Sequence, residues 1–131
     1  MVTEPQRPQL ILVVDDEALV RNFVKNCLER LAFRVLLAET GRQALEIFEQ
    51  LADEIALVFL DLKMPVMTGE EVLPRLLERR PELKVILTSG YEEQFARRMV
   101  RDYPSIAYLR KPYTARQLGD RVQRSLQAQG I

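Results

Sequence analysis

The stretch LILVVDDE at residues 10–17 decides how the rest of the chain reads. Leu10–Val14 is an unbroken apolar run, as a strand buried on both faces requires. Three acids follow at once, Asp15, Asp16 and Glu17, and then the period changes. Leu19, Val20, Phe23, Val24, Cys27, Leu28 and Leu31 recur at three- and four-residue spacing, which predicts a helix. Strand, acidic turn, helix is therefore the opening unit.

Outward from it the unit repeats. Arg34–Ala38 predicts a second strand, and Gly41–Ala52 a helix with Ala44, Leu45, Phe48, Leu51 and Ala52 on one face. IALVFL at 55–60 is another wholly apolar strand, and Pro65 and Gly69 make 63–69 a loop. Thr68 with Glu71 three residues on is a capping box, and Val72, Leu73, Leu76 and Leu77 give the next helix its stripe. Pro74 removes a backbone donor there, so the first turn is expected to be kinked or to begin later than the cap implies. Arg80-Pro81 ends that helix. KVIL at 84–87 predicts the next strand, and 92–102 a weaker helix with Phe95, Met99 and Val100 inward. A short strand at 106–109 and a helix over 114–127 on Ala115, Leu118, Val122 and Leu126 complete the alternation. Alternation of this kind implies an α/β fold, a parallel sheet with helices on both faces. For five strands the expected architecture is the flavodoxin-like doubly wound (βα)5 sandwich of order 2-1-3-4-5. That order puts the three most apolar strands in the middle.

The 131 residues allow one compact domain. A loose tail is expected over 1–8, the domain over 9–128 and a short tail over 129–131. With 47% hydrophobic and 29% charged residues, the composition is that of a globular chain. No apolar run approaches the ~18 residues needed to span a bilayer, and residues 1–10 hold no signal-peptide pattern. The expectation is a cytoplasmic chain without membrane contact. The lone Cys27 excludes an internal disulfide and reads as a small core residue. The absence of histidine excludes Ser-His-Asp and Cys-His catalysis, histidine-bound zinc, and a phosphohistidine made on this chain. The net charge of zero gives nucleic acid no general reason to bind. The charge is uneven, however: residues 1–90 hold 11 basic and 15 acidic side chains, residues 91–131 hold 8 and 4.

In such folds the site lies beyond the carboxyl ends of the strands, where the strand order reverses. The strand ends carry Asp15, Asp16 and Glu17, then Asp61, then Thr88, Ser89 and Gly90, then Arg110, Lys111 and Pro112. Parallel strands bring these to one edge. Carboxylates crowded there either share a proton or bind a hard cation. Two or three carboxylate oxygens plus waters suit Mg2+, and a lysine and a hydroxyl opposite suit a phosphoryl group. No glycine-rich loop follows the first strand, which argues against a dinucleotide or P-loop site. Helix capping would account for one of Asp15 and Asp16, but not for both together with Asp61 and Lys111.

With those residues in place, the chain resembles the receiver domain of two-component response regulators, from about Gln9 to Gln127. The matching motifs are LVVDDE at 12–17, LDLKMPVMTG at 60–69, LTSG at 87–90 and YLRKP at 108–112. The resemblance implies that Asp61 is the phosphoacceptor, and that Asp16, Asp61 and the backbone carbonyl of Lys63 are direct Mg2+ ligands. It implies that Asp15 reaches the metal through water, that Lys111 pairs with phosphoryl oxygens, and that the Lys111–Pro112 bond is cis. Thr88 and Tyr108 match the switch hydroxyl and switch aromatic. The style of RPELKVILTSGY is similar to receivers fused behind sensor kinases.

The implied function is that of a phosphoacceptor that takes a phosphoryl group from a partner histidine kinase or phosphotransfer protein. It is expected to signal by shape change rather than by turnover. The implied reading surface is the fourth helix, fifth strand and fifth helix, where Arg97, Arg98, Arg101, Arg110, Arg116, Arg121 and Arg124 suit an acidic effector or a second receiver. Two other classes compete. A Mg2+-dependent aspartyl phosphohydrolase would carry a second Asp two residues after the nucleophile, where this chain has Lys63. A phosphorylation-independent interaction module would not need the intact set of Asp15, Asp16, Asp61, Thr88 and Lys111.

Overall fold

The computed structural model describes residues 8–91 and 94–127. Five strand–helix pairs follow one another: β1 (Leu10–Val14), α1 (Ala18–Arg30), β2 (Arg34–Ala38), α2 (Gly41–Leu51), β3 (Ile55–Asp61), α3 (Gly69–Arg79), β4 (Lys84–Ser89), α4 (Gln94–Asp102), β5 (Ile106–Arg110) and α5 (Ala115–Gln127). The strands form one sheet of order β2-β1-β3-β4-β5, every neighbouring pair parallel. This is the expected doubly wound arrangement.

The unbroken apolar strands still alternate in where they send their side chains. Leu10, Leu12 and Val14 join Val58, Leu60, Val85 and Leu87 on the face covered by α2, α3 and α4. Ile11 and Val13 join Leu57, Phe59 and Ile86 on the other face, under Val24 and Leu28 of α1 and Leu118 and Val122 of α5. Both faces being covered explains why neither set is polar. The core lies within the two helix layers, and the polar chemistry is left to the strand ends.

Several local expectations change. Leu19 is 86% exposed, and Phe23 and Leu31 are also exposed, so the inward stripe of α1 is Val24 and Leu28, with Val20 and Cys27 half-buried. Phe23 keeps a ring contact with Tyr113, while Leu19 stands at the open edge of the apolar cleft those residues line with Pro112. Val100 and Ala115 are likewise exposed rather than inward. Pro74 does not delay α3, which starts at Gly69 straight after the Thr68 cap, with both bonds of the capping box formed. The two bonds of the box fix the first turn upstream of the proline. β3, β4 and β5 each run past the expected end, so Asp61, Thr88, Ser89 and Arg110 are strand residues. Their side chains are polar, but their backbones still pair with the neighbouring strand. Residues 1–7 of the first expected tail, the tail over 129–131 and the helix start at Glu92 lie outside the described residues. Among the described residues no helix is long and apolar enough to cross a membrane.

Candidate functional site

The acids stand where the strand order reverses, between β1 and β3. Asp15 follows β1 directly and donates its N–H to the Ala38 carbonyl at 3.1 Å. Asp61 is the last residue of β3 and lies in register beside Thr88 of β4. Just beyond, the Leu62 N–H donates to the Thr88 carbonyl at 2.9 Å. α3 begins hard against this point: a Cβ on Gly69 would come within 2.5 Å of the Asp61 carbonyl oxygen and 2.8 Å of Leu62 Cα. Only glycine lets the chain return that closely, so the loop at 62–68 is drawn in over the end of β3.

Lys111 gathers the carboxylates. Its Nζ is 2.9 Å from Asp15 Oδ2, 3.5 Å from Asp61 Oδ2 and 3.6 Å from Glu17 Oε1. The Lys111 N–H is bonded to the Ser89 carbonyl at 2.8 Å, and the Lys111–Pro112 peptide is cis, as the resemblance implies. The remaining carboxylate oxygens take backbone donors: Glu17 N–H to Asp15 Oδ1 at 2.9 Å, and Lys63 N–H to Asp61 Oδ1 at 3.1 Å. One oxygen from each of Asp15, Asp16 and Asp61 lies within 4.8 Å of the others. Asp15 and Asp61 are buried, and Asp16 is exposed.

The negative charge is in excess. Burial first, then the Asp15 charge, pushes the Asp61 carboxyl up to about 7, with Asp16 adding to the rise. Lys111 and the Lys63 N–H pull the other way and do not cancel it. Burial alone would lower the Lys111 ammonium, but its bond to Asp15 and the charges of Asp61, Asp15 and Glu17 hold it above the ordinary lysine range. A cluster that cannot ionise fully with one lysine is chemically suited to a divalent cation. Helix capping is not the role of either neighbouring aspartate: the residue at the cap position of α1 is Glu17, and it makes no side-chain cap bond.

Across from the acids, the Thr88 hydroxyl is buried and has no hydrogen-bond partner among the described residues. Tyr108 on β5 donates its hydroxyl to the Tyr91 carbonyl at 2.6 Å, with the Ser89 carbonyl at 3.3 Å, and so clasps the segment after β4. The exposed arginines do not form one face. Arg116 lines a cleft with Cys27 and Arg30 on the α1–α5 side, because α5 is amphipathic and turns that position away from β5. Arg121 and Arg124 line a separate cavity of about 350 Å3 with Val100 and Tyr108.

Three residues beside the centre escaped the sequence reading. Arg21 of α1 reaches back to the Asp15 carbonyl at 2.7 Å. Tyr113 packs its ring on Phe59 and Phe23 with its hydroxyl buried and unpartnered among the described residues, and burial together with Asp15 and Asp61 holds the phenol above its usual range. Val66, fully exposed, adopts φ 67° inside a tight turn closed by Met67 N–H to the Pro65 carbonyl at 2.7 Å, a conformation costly for a β-branched residue. No periodicity or motif marks the first two. Pro65 signals a turn but not its hand.

Comparison with known proteins matches residues 11–123 to the family model described as the response regulator receiver domain. The chain is 37% identical over 120 residues to the sensor kinase CckA of Brucella abortus, covering 91% of this chain and 13% of that kinase. Among solved structures, a response regulator receiver domain protein from Clostridium thermocellum superposes with a TM-score of 0.81 at 29% identity, over 90% of this chain and 94% of that one. The response regulator TrrA from Thermotoga maritima, solved with Mg2+ and BeF, gives 0.75 at 29% identity, over 90% of this chain and 99% of that one.

Proposed function

The chain belongs to the response regulator receiver domain family, a family of signalling domains, and on that premise we propose that Asp61 is its phosphoacceptor. The observation that carries this is the meeting of three carboxylates within 4.8 Å with Lys111 Nζ 3.5 Å from Asp61 Oδ2. Asp15, Asp16 and Asp61, with the backbone carbonyl of Lys63, would hold Mg2+, which supplies positive charge for the phosphoryl oxygens when bound. Asp16, exposed and without a side-chain hydrogen bond among the described residues, is the natural direct ligand. Asp15 is already committed to Lys111 and the Glu17 N–H, which suits contact through water.

The donor is a phosphohistidine on a partner histidine kinase or phosphotransfer protein. An Asp61 carboxylate oxygen attacks phosphorus in line, the phosphorus–nitrogen bond breaks, and the imidazole leaves. The product is a mixed anhydride on Asp61. Lys111 offsets charge on the phosphoryl oxygens, and the unpartnered Thr88 hydroxyl donates to one of them. Tyr108 then shifts with the segment after β4 that it clasps. The reading surface is the α4–β5–α5 face, for an acidic effector or a second receiver, with Arg121 and Arg124 at its cavity. The similarity to a sensor kinase of which the chain spans 13% supports a place in a longer hybrid kinase. Lys63, two residues after Asp61, speaks against an aspartyl phosphohydrolase, which needs an acid there.

The test is incubation with a small phosphoramidate or acyl-phosphate donor and Mg2+. One phosphoryl group per chain, labile to hydroxylamine, is expected on the wild type and none on Asp61→Asn. Equal labelling of the variant overturns the assignment.

A further inference from the structure

Arg21 stands on the first turn of α1, yet its side chain points back past the helix start. Nη1 donates to the Asp15 carbonyl at 2.7 Å, and Nη2 meets Glu39 Oε2 at 3.4 Å. The side chain is only 14% exposed, against 65% for Glu39. The Asp15 N–H is held from the other side by the Ala38 carbonyl at 3.1 Å. Both peptide groups flanking Asp15 are therefore tied, one to β2 and one to Arg21.

The second tie bears on Asp16. The Asp15 carbonyl shares a rigid plane with the nitrogen and Cα of Asp16, so turning that plane moves the whole of Asp16. Asp15 and Asp61 have their own anchors in Lys111 and in backbone N–H groups. Asp16 has none among the described residues, so its place depends on the backbone alone. We propose that Arg21 is a positioning residue for the acidic centre: by fixing the Asp15–Asp16 peptide it fixes where the Asp16 carboxylate stands relative to Asp15 and Asp61. The inference rests on reading those three carboxylates as a Mg2+ site.

The rival physical role for Arg21 is a plain nearby cation, and the two roles differ in sign. Removing a cation beside an acidic cluster strengthens metal binding by Coulomb attraction. Removing the group that orients a ligand weakens it, typically by about tenfold or more. Calorimetric Mg2+ titration of the full chain separates them. Arg21→Met should bind about tenfold more weakly than wild type. Arg21→Lys, which keeps the charge but not the planar fork, should recover part of the loss, to about threefold weaker. Glu39→Gln should stay within about twofold, because its pair is exposed.

A metal-free readout runs beside it. The amide order parameter of Asp16 should fall in Arg21→Met while that of Asp61 holds. Tighter or unchanged Mg2+ binding by Arg21→Met, with an unchanged Asp16 amide, overturns the proposal. If Arg21→Met does not melt cooperatively, the Asp16 amide in Arg21→Lys decides by the same criterion. If the wild type binds no Mg2+, the functional reading fails, and the order parameters in metal-free protein still decide the role of Arg21.

Discussion

The two sides of the strand-end cavity are built on opposite principles. On the β1–β3 side, Asp15 and Asp61 each have both oxygens engaged, by Lys111 and by a backbone N–H. On the β4 side, the Thr88 hydroxyl is buried with no partner among the described residues. An unsatisfied buried hydroxyl costs roughly 1–3 kcal/mol. The acids are thus set in advance, while the hydroxyl is left with a bond still to make. On the proposed reading, the first side holds the reacting group and the second senses its change.

Breaking the acidic side should have the largest effect. Lys111→Met strips the buried carboxylates of their shared cation, and loss of one partner of a buried pair costs about 3–5 kcal/mol. Denaturant melts in EDTA should show the loss, and phosphorylation from the small donor should slow by at least about tenfold. Wild-type stability and rate in this variant would mean that the lysine does not hold the centre together.

The next effect is on pH. Asp61 is raised in the fold, to about 7 from 3.8, so between about pH 4 and pH 7 the folded chain binds more protons than the unfolded one. Metal-free stability should therefore fall as pH rises through that window, by something on the order of 2–4 kcal/mol. Asp61→Asn should flatten the dependence and be the more stable protein at pH 7. A wild-type profile in EDTA that is flat from pH 4 to pH 7 would contradict the excess of negative charge.

The smallest effect is expected on the open side. Thr88→Ala relieves the cost of the buried unpartnered hydroxyl but also deletes a buried methyl worth roughly 0.8 kcal/mol and leaves a small void, so the terms oppose each other and the net change in stability should stay below about 1 kcal/mol. Phosphorylation of Asp61 should persist. Amide-exchange changes on phosphorylation, expected in wild type to extend through Tyr108 into residues 94–102, should shrink toward the loops around Asp61. Undiminished propagation in Thr88→Ala would place the sensor elsewhere.

The fold and most of the centre were legible because each rests on local or periodic information. Apolar runs bounded by turns gave the five strands, and Thr68 with Glu71 gave the start of α3. Acids, hydroxyls and a lysine at successive strand ends gave the cavity, because parallel strands share one carboxyl edge. Periodicity was less reliable for depth. It assigned Val100 inward, yet that residue is 40% exposed, since spacing reports a face but not whether anything covers it.

What the chain alone determined is thus the element order, the edge on which polar chemistry gathers and the identity of Asp15, Asp16, Asp61, Thr88 and Lys111 as its members. The tertiary structure alone decided how those members are held. Asp15 is a ligand of Lys111 and not a helix cap, a choice made 96 residues away in sequence where Lys111 follows β5. Gly69 could be seen as a turn glycine, but not as the point where α3 meets the Asp61 carbonyl. Arg21 reads as one more solvated helix position until β2 and the turn after β1 come together beneath it. The reason is physical: spacing along a strand or helix follows from local covalent geometry. Hydrogen bonds between groups far apart in sequence exist only after packing has fixed both ends.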